Sequence, residues 1–579
     1  MIRSSMHQST LGDAGIPRYS FGVVSADPAN SMFTASNFPA LPSGAVGNNI
    51  LSDARNLYAL ITGRVSSVTK TVNIDEKTHQ YMDFSPVMVR ERETSFGLYF
   101  ADSWRVNRAL TLNYGLRWDF QGDNENTNGL YTSPTLADLF GPSGALPSTD
   151  PRTPNLFNPG SLLGIANPSI YQRWKAYNAD YINPAPHVGA AWNPSFQSGI
   201  LRRFIGDRKT VFRTGYSINN YSEGMLNFSD FAGSNPGLRQ TGALAPGVNF
   251  APGSLSVSDP LPAFPLFPPS FSFPLALANF AFKNQTVGTI NPALRAPFVQ
   301  TWSFGAQREI RPNTVVEIRY AGNYGKRLWH GYNVNEVNIF ENHFVDQFKA
   351  AQNNLAVNAA NGTNNSFSDQ TGFAGLLPTP IFEAAFQGLA ASTGFSNKGF
   401  IDLLNSGQAG GLANALAQNS TYFCRIVGSN FAPCANLGFT TPGQFPINFF
   451  QLNPYVGTAN LLNDNSFSSY RGLQIEFRQR FSHGLVLNAN YTWSHSLTDR
   501  YNKNVDGLSN FRTLRDPALD RGPSPFDIRH VFQAYGTYDI PFGRGRRFTI
   551  KNGLLDRIAG GWTMGSIFRL QTGLLPVRT

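Results

Sequence analysis

The chain has 579 residues, of which 41% are hydrophobic, 13% aromatic and only 14% charged, with 54 Gly and 38 Pro. Charge so far below the quarter usual in soluble domains argues against a solvated helical assembly and for a turn-rich β body. The net charge of +10 would suit nucleic acid, but the 46 basic residues are scattered, and no apolar run is long enough for a spanning helix.

Residues 1–53 include Arg3 but no apolar signal-peptide core, and they read as a poorly defined loop segment. The stretches ITGRVSSVTKTVNID and QYMDFSPVMVRERE, within 61–93, predict a weak strand pair. Strict alternation then sets in. Phe96, Leu98, Phe100 and Trp104 lead through a turn at Val106-Asn107-Arg108 to Leu110, Leu112, Tyr114, Leu116 and Trp118, which predicts a hairpin. HVGAAWNP (187–194) and TVFRTGYSI (210–218) form a pair with a longer turn. Trp302, Phe304, Ala306 and Ile310 precede the turn Arg311-Pro312-Asn313, and Val316, Ile318 and Tyr320 follow it.

The two cysteines, Cys424 and Cys434, have nine residues between them in an Asn-, Gly- and Ala-rich stretch. A local disulfide in an oxidising compartment suits them better than a metal site, since no second Cys/His pair lies near; two unpaired thiols stand as an equal alternative. The fullest hairpin follows, in RGLQIEFRQRFSHGLVLNANYTWSHS (471–496). Leu473, Ile475, Phe477, Leu487, Tyr491 and Trp493 oppose Gln474, Glu476, Arg478, Arg480, Asn488 and Asn490, with the turn at Phe481-Ser482-His483-Gly484. A last pair, RHVFQAYGTYDIPFG (529–543) and GGWTMGSIFRLQTG (560–573), is joined by the basic turn GRGRRF.

Within hairpins the turns are short or moderate, while between them run long loops at 121–185, 219–299, 324–470 and 496–528. A sandwich or propeller explains the alternation but not this segregation of lengths; an outer-membrane barrel, with short periplasmic turns and long extracellular loops, explains both. Trp104, Trp118, Tyr491 and Trp493 sit towards strand ends, where amphipathic rings suit the headgroup depth of a membrane. Gln474, Glu476, Arg478, Arg480, Asn488 and Asn490 are then lumen-facing. The predicted fold is therefore all-β, an antiparallel transmembrane β-barrel over 54–579. Roughly ten to fourteen strands can be counted.

At these hairpins the sequence resembles the barrel portion of TonB-dependent outer-membrane receptors, and among them the Oar-like subgroup. The resemblance rests on ARNLYALITGRVSSVT (54–69), LYFADSWRVNRALTLNYGLRWDF (98–120), NPAPHVGAAWNP (183–194), PFVQTWSFGAQREI (297–310), the 468–499 hairpin, FDIRHVFQAYGTYDIPFGRGRRF (526–548) and GGWTMGSIFRLQTG. It implies a barrel of about 22 strands preceded by a signal peptide and a plug, neither of which is visible. The chain thus reads as roughly half a barrel, a fragment or a truncated gene product, ending in LLPVRT without a terminal aromatic. What it implies for function is energy-coupled uptake of a small molecule, oligosaccharide or peptide. The partners would be outer-membrane lipid and, through the plug region, the TonB energy-transducing complex; no cofactor, metal or nucleic acid is implied.

Three motifs lie outside this reading. Asp527, Arg529 and His530 invite a catalytic interpretation, but on a strand His530 points away from the other two, which suits a structural ion pair. No G-x-S-x-G, H-E-x-x-H or P-loop occurs, and the chain reads as a non-enzyme. The basic turn Gly543–Arg547 suits solvent or lipid phosphate, and the Pro- and Phe-rich 251–280 suits either ligand stacking or packing against neighbouring loops. The alternative function is a soluble or surface-attached β-rich adhesin that binds glycans, in which the apolar strand faces would pack on one another.

Overall fold

The computed structural model describes residues 2–34, 36–38, 50–146, 153–221, 235–266, 270–280, 283, 285–363, 365–482, 484–500 and 509–573. The dominant element is one sheet whose path follows chain order through eleven strands. These are β1 (Ile2–Thr10), β2 (Val87–Arg105), β3 (Leu110–Asn126), β4 (Asp180–Trp192), β5 (Thr210–Asn220), β6 (Phe298–Arg311), β7 (Thr314–Asn333), β8 (Thr458–Ser482), β9 (Leu485–Thr498), β10 (His530–Asp539) and β11 (Thr563–Gln571). Every neighbouring pair along this path is antiparallel. Among the described residues β1 and β11 are not bonded to each other, so the sheet is open there.

Turn chemistry sets the hairpins. Asn107 Oδ1 accepts from the backbone N–H of Ala109 and Leu110 between β2 and β3. Asn313, at φ 65°, supplies the left-handed residue between β6 and β7, a conformation that Asn tolerates better than most. In the β8–β9 turn, His483 lies outside the described residues. One end of the sheet is joined by 106–109, 193–209, 312–313, 483–484 and 540–562. The other end carries 11–86, 127–179, 221–297, 334–457 and 499–529.

Several sequence expectations need correction. Residues 1–53 are not simply loop. Ile2–Thr10 pairs along β2, from Ile2 opposite Ser95 to Thr10 opposite Val87, and its largely polar, exposed side chains gave no alternation to read. The weak pair expected within 61–93 forms only over two residues, Asn73 opposite Met82 and Ile74 opposite Tyr81. Val65–Ile74 lies between Arg18–Phe21 and Arg239–Leu244 in a separate sheet, touching only Tyr81 and Met82 locally, while Val87 onward belongs to β2. The distant neighbours win because they bury Val68 against Leu244 and Leu255, and Ile74 against Leu238.

The loops 121–185, 219–299, 324–470 and 496–528 are shorter and more ordered than composition suggests. Strand β3 runs on to Asn126, Thr286–Ile290 pairs parallel to β8, and Gly522–Pro523 pairs with the end of β9. Residues 147–152, 222–234, 267–269, 281–282, 284, 364 and 501–508 of these loops lie outside the described residues, as does LLPVRT.

The largest departure from an all-β reading is 334–457. Ahead of it in the chain come α1 (Ile50–Ile61), α2 (Leu136–Phe140) and α3 (Gly199–Phe204); within it lie α4 (Phe344–Ala360), α5 (Pro380–Phe386), α6 (Lys398–Asn405), α7 (Ala409–Gln418), α8 (Ser420–Val427) and α9 (Ala432–Asn436). A final helix, α10 (Gly553–Ala559), precedes β11. In α4, Phe344, Phe348, Ala351 and Leu355 recur at helical spacing and face one core. Asn397 and Asn419 cap α6 and α8 by accepting from Phe400 N–H and from Thr421 and Tyr422 N–H. Gly428 ends α8 at φ 59°, where a Cβ would lie 2.2 Å from the Thr441 carbonyl, so only glycine fits. Among the described residues the main hydrophobic core is therefore not inside the sheet. It sits in this helical cap, and ties it to the strand ends through Tyr332, Val334, Phe450, Ala459 and Leu461.

Candidate functional site

From β2 to β11 the register gathers most of the apolar side chains onto one face. One row runs Leu570, Phe532, Tyr491, Ile475, Ile318, Ala306, Phe212, Trp192, Leu110, each directly opposite the next. These side chains have no opposing protein layer: Phe304 is 57% and Ile318 48% exposed. An apolar face of this extent has no stable place in water. Trp104, Trp118 and Trp493 lie on it and are exposed, and Tyr491 is half-buried with its hydroxyl 2.7 Å from His530 Nδ1. Trp118 pairs with Leu98, six residues from Trp104 along β2. That is roughly 20 Å at the rise of a strand, close to the band of about 25 Å on outer-membrane barrels.

The opposite face is polar and internally bonded. Arg319 donates to Gln474 Oε1 at 3.0 Å, Arg478 sits between Glu317 and Glu476 at 3.2 and 3.1 Å, and Asn488 donates to Glu476 and, at 2.8 Å, to the Tyr535 hydroxyl. Asn490 lies between Glu476 and Gln533 in the ladder. Arg480 is exposed beside the turn, its backbone N–H bonded to the Asn313 carbonyl.

On β2 the apolar band begins at Phe96. Beyond it, towards the long-loop end, Glu91 and Glu93 are buried beside Asn124, Tyr131 and Tyr177, and desolvation pushes both carboxyls up to about 7. The fold thus holds protons that the unfolded chain releases near 4.5. Stability from these two groups is greatest below that value and falls as pH climbs through about 7. The melting temperature at pH 5 is therefore expected to exceed that at pH 8, and the double change Glu91→Gln and Glu93→Gln should flatten the difference. An unchanged pH profile in the double variant would refute the assignment.

Where the cap meets the strand ends, a polar cup of about 450 Å³ is lined by Gln285, Thr286, Asn333, Asn414, Gln418 and Thr458, together with Lys283, Gln451 and the carboxylate of Glu336. Lys283 is buried, donates to Gln451 Oε1 at 3.1 Å and stands 3.9 Å from the centre of the Phe423 ring. Burial holds its ammonium well below the ordinary lysine range. Amide and hydroxyl groups converging on one cavity are suited to a polar ligand with several hydrogen-bonding groups. Nothing in local spacing marks these residues, since they come from four separate stretches of chain brought together by the cap.

Cys424 and Cys434 are joined by a disulfide that staples α8 to α9 inside the cap core. Closing so short a loop contributes about 2–3 kcal/mol. Replacing both cysteines with serine should lower the cap's unfolding midpoint by that amount while leaving the sheet's own transition in place, which a two-probe denaturation would resolve.

The remaining motifs are structural. Asp527 accepts from Ser496 N–H at 2.6 Å, from Arg529 at 3.0 Å and from His495 Nδ1 at 3.2 Å, while His530 turns to Tyr491. The Asp527 carboxylate is thus held by a backbone N–H, a guanidinium and an imidazole. In 251–280, Phe264 packs against the core under Val68 and lies over Lys70, and Phe271 meets Phe273 edge-on, so the described aromatics serve loop packing.

The chain matches the family profile described as "Outer membrane beta barrel domain" over residues 33–576. Solved structures that it matches include the outer membrane transporter YddB from Escherichia coli (7% identity, TM-score 0.28, 82% of this chain and 45% of that one). Others are the alcaligin outer membrane receptor FauA from Bordetella pertussis (8%, 0.25, 83% and 38%) and the siderophore receptor PirA from Pseudomonas aeruginosa (8%, 0.23, 82% and 52%). The chain thus spans about half or less of the length of each. No curated protein sequence matches it.

Proposed function

Because this chain belongs to the outer membrane beta barrel domain family and resides in the cell outer membrane, we propose that it supplies the wall and outer cap of a ligand-uptake receptor of the TonB-dependent kind, in the Oar-like subgroup. The observation that carries this reading is the two-faced sheet. Its unpartnered apolar face suits alkyl chains, its ion-paired polar face suits a lumen, and a helical cap roofs one end. The short-turn end is then periplasmic and the cap extracellular. Trp104, Trp118 and Trp493 act as interface anchors, while Tyr491, expected there too, stands mid-strand in the row of Ile475 and Ile318; Gln474, Glu476, Arg478, Arg480, Asn488 and Asn490 line the lumen. Ligand meets the cup around Lys283 first and passes inward when the energy-transducing complex acts on the plug region of the whole receptor. A soluble adhesin finds no support, since its apolar strand faces would have to pack on each other.

The test compares accumulation of labelled siderophore, oligosaccharide, peptide and cobalamin by cells expressing the receptor, with and without an active energy-transducing complex. One class is expected to accumulate only in energised cells, and removal of 334–457 should abolish that uptake without removing the protein from the outer membrane. Uptake of none, or uptake indifferent to energisation, would refute the proposal.

A further inference from the structure

The two longest connections at the short-turn end, 193–209 and 540–562, each hold a short helix, α3 and α10, that turns apolar side chains outward. In α3, Ile200 is 74% and Phe204 70% exposed; in α10, Leu554 is 73% and Ile558 69% exposed, with Trp562 following. Both helices are fixed in place. Arg308 of β6 donates to the carbonyls of Arg203 and Phe204, holding the end of α3 on the rim of the sheet. Asn552 caps α10 by accepting from Leu554 and Leu555 N–H, Asp556 accepts from Arg544 N–H, and Trp562 Nε1 donates to the Ile558 carbonyl. The exposed residues are therefore presented by ordered backbone.

Charge accompanies the apolar surface. Around α3 stand Arg202, Arg203, Arg208 and Lys209, and around α10 stand Arg544, Arg546, Arg547, Lys551 and Arg557. Asp556 and Asp539 pair with Arg544 and Arg546, and Asp207 is bonded to Ser195. The other cations have no carboxylate partner among the described residues. Both helices lie in connections that leave or enter strands of the outward band: α3 follows β4, whose last residue Trp192 stacks 5.6 Å from Phe212 of β5, and α10 precedes β11.

A short helix with an apolar face and arginines, set at the edge of a lipid-facing band, has the composition of an interfacial anchor. We propose that α3 and α10 dock on the phospholipid headgroup layer at the short-turn end and select anionic phospholipids there, the apolar residues entering the acyl boundary and the arginines and lysines contacting phosphate. This rests on the outer-membrane reading of the sheet, and the test separates the two.

The full chain is reconstituted in nanodiscs of phosphatidylcholine with a minor fraction of phosphatidylglycerol, and Trp562 fluorescence is isolated by difference from Trp562→Phe. Quenching by brominated phosphatidylglycerol should exceed quenching by brominated phosphatidylcholine at equal mole fraction by roughly twofold, and the excess should vanish near 1 M salt. The combined variant Arg202→Gln, Arg203→Gln, Lys551→Gln and Arg557→Gln should lose the excess while remaining in the disc. Equal quenching by both lipids in the unmodified chain, or an excess that survives in the variant, would overturn lipid selection with the membrane reading intact. Quenching of Trp562 by aqueous iodide but by neither lipid would overturn the docking itself. Failure of the chain to enter discs at all would instead strike the outer-membrane reading.

Discussion

Ile318→Arg is expected to destabilise the inserted state by about 2–4 kcal/mol, the penalty for a cation on the lipid face near mid-depth of a barrel. Ile318 lies opposite Ala306 on one side and Ile475 on the other, on the outward face. A guanidinium there cannot reach the nearby carboxylates, because Glu317 and Glu476 point to the other side of the sheet, where they pair with Arg478. The matched control is Gln307→Arg, opposite Glu317 on the inward face, which gains an acidic neighbour and should change stability by less than about 1 kcal/mol. Equilibrium refolding into vesicles, read by the mobility difference between folded and heated protein on a gel, gives both values. Equal sensitivity at the two positions would show that the two faces meet the same medium, and the membrane reading would fail.

What made the sheet legible was period-two alternation, which survives wherever one face meets lipid and the other meets a polar lumen. Leu473, Ile475 and Phe477 against Gln474, Glu476 and Arg478 is that pattern undiluted, and the register between β8 and β9 follows from it. The signal fails in two places for physical reasons. Ile2–Thr10 joins the sheet through backbone bonds, with polar side chains on both faces, so nothing in its composition distinguishes it from loop. The cap was hidden because its helices are built from Ala, Asn, Gln and Gly between widely spaced Phe residues. In FVDQFKAAQNNLAVNAA the 3.6-residue period is present, but the stretch looks like the surrounding Asn- and Gly-rich connections. The cup was less accessible still, since Gln285, Asn333, Asn414 and Thr458 converge only after the cap packs on the strand ends. The phenylalanine content does carry a trace of the cap: 47 are far more than the lipid-facing strands require, and many belong to the cap core.

Phe386→Ala should therefore act on the cap alone, at a cost of about 3–5 kcal/mol for a fully buried phenylalanine. Phe386 is 1% exposed and its ring meets Phe382, Phe395, Phe400 and Tyr422, so one truncation opens contacts between α5, α6 and α8 together. The surrounding rings come from four different segments and cannot all collapse into the vacated space, which places the expected loss in the upper part of that range. Strands β7 and β8 remain paired from Thr314 opposite Gln479 up to Asn333 opposite Asn460, and this long ladder does not depend on the cap's interior. If opening and closing of the cap are fast relative to cleavage, proteolysis tracks the open population. Cleavage within 344–436 should then rise roughly a hundredfold or more, while the sheet stays resistant. Limited digestion followed by mass analysis of the fragments distinguishes the outcomes. Cleavage spread evenly over cap and sheet would mean that the two unfold as one body. Unaltered cleavage would mean that the phenylalanine cluster does not hold the cap together, and the cup around Lys283 would then lose the rigid support that ligand capture there requires.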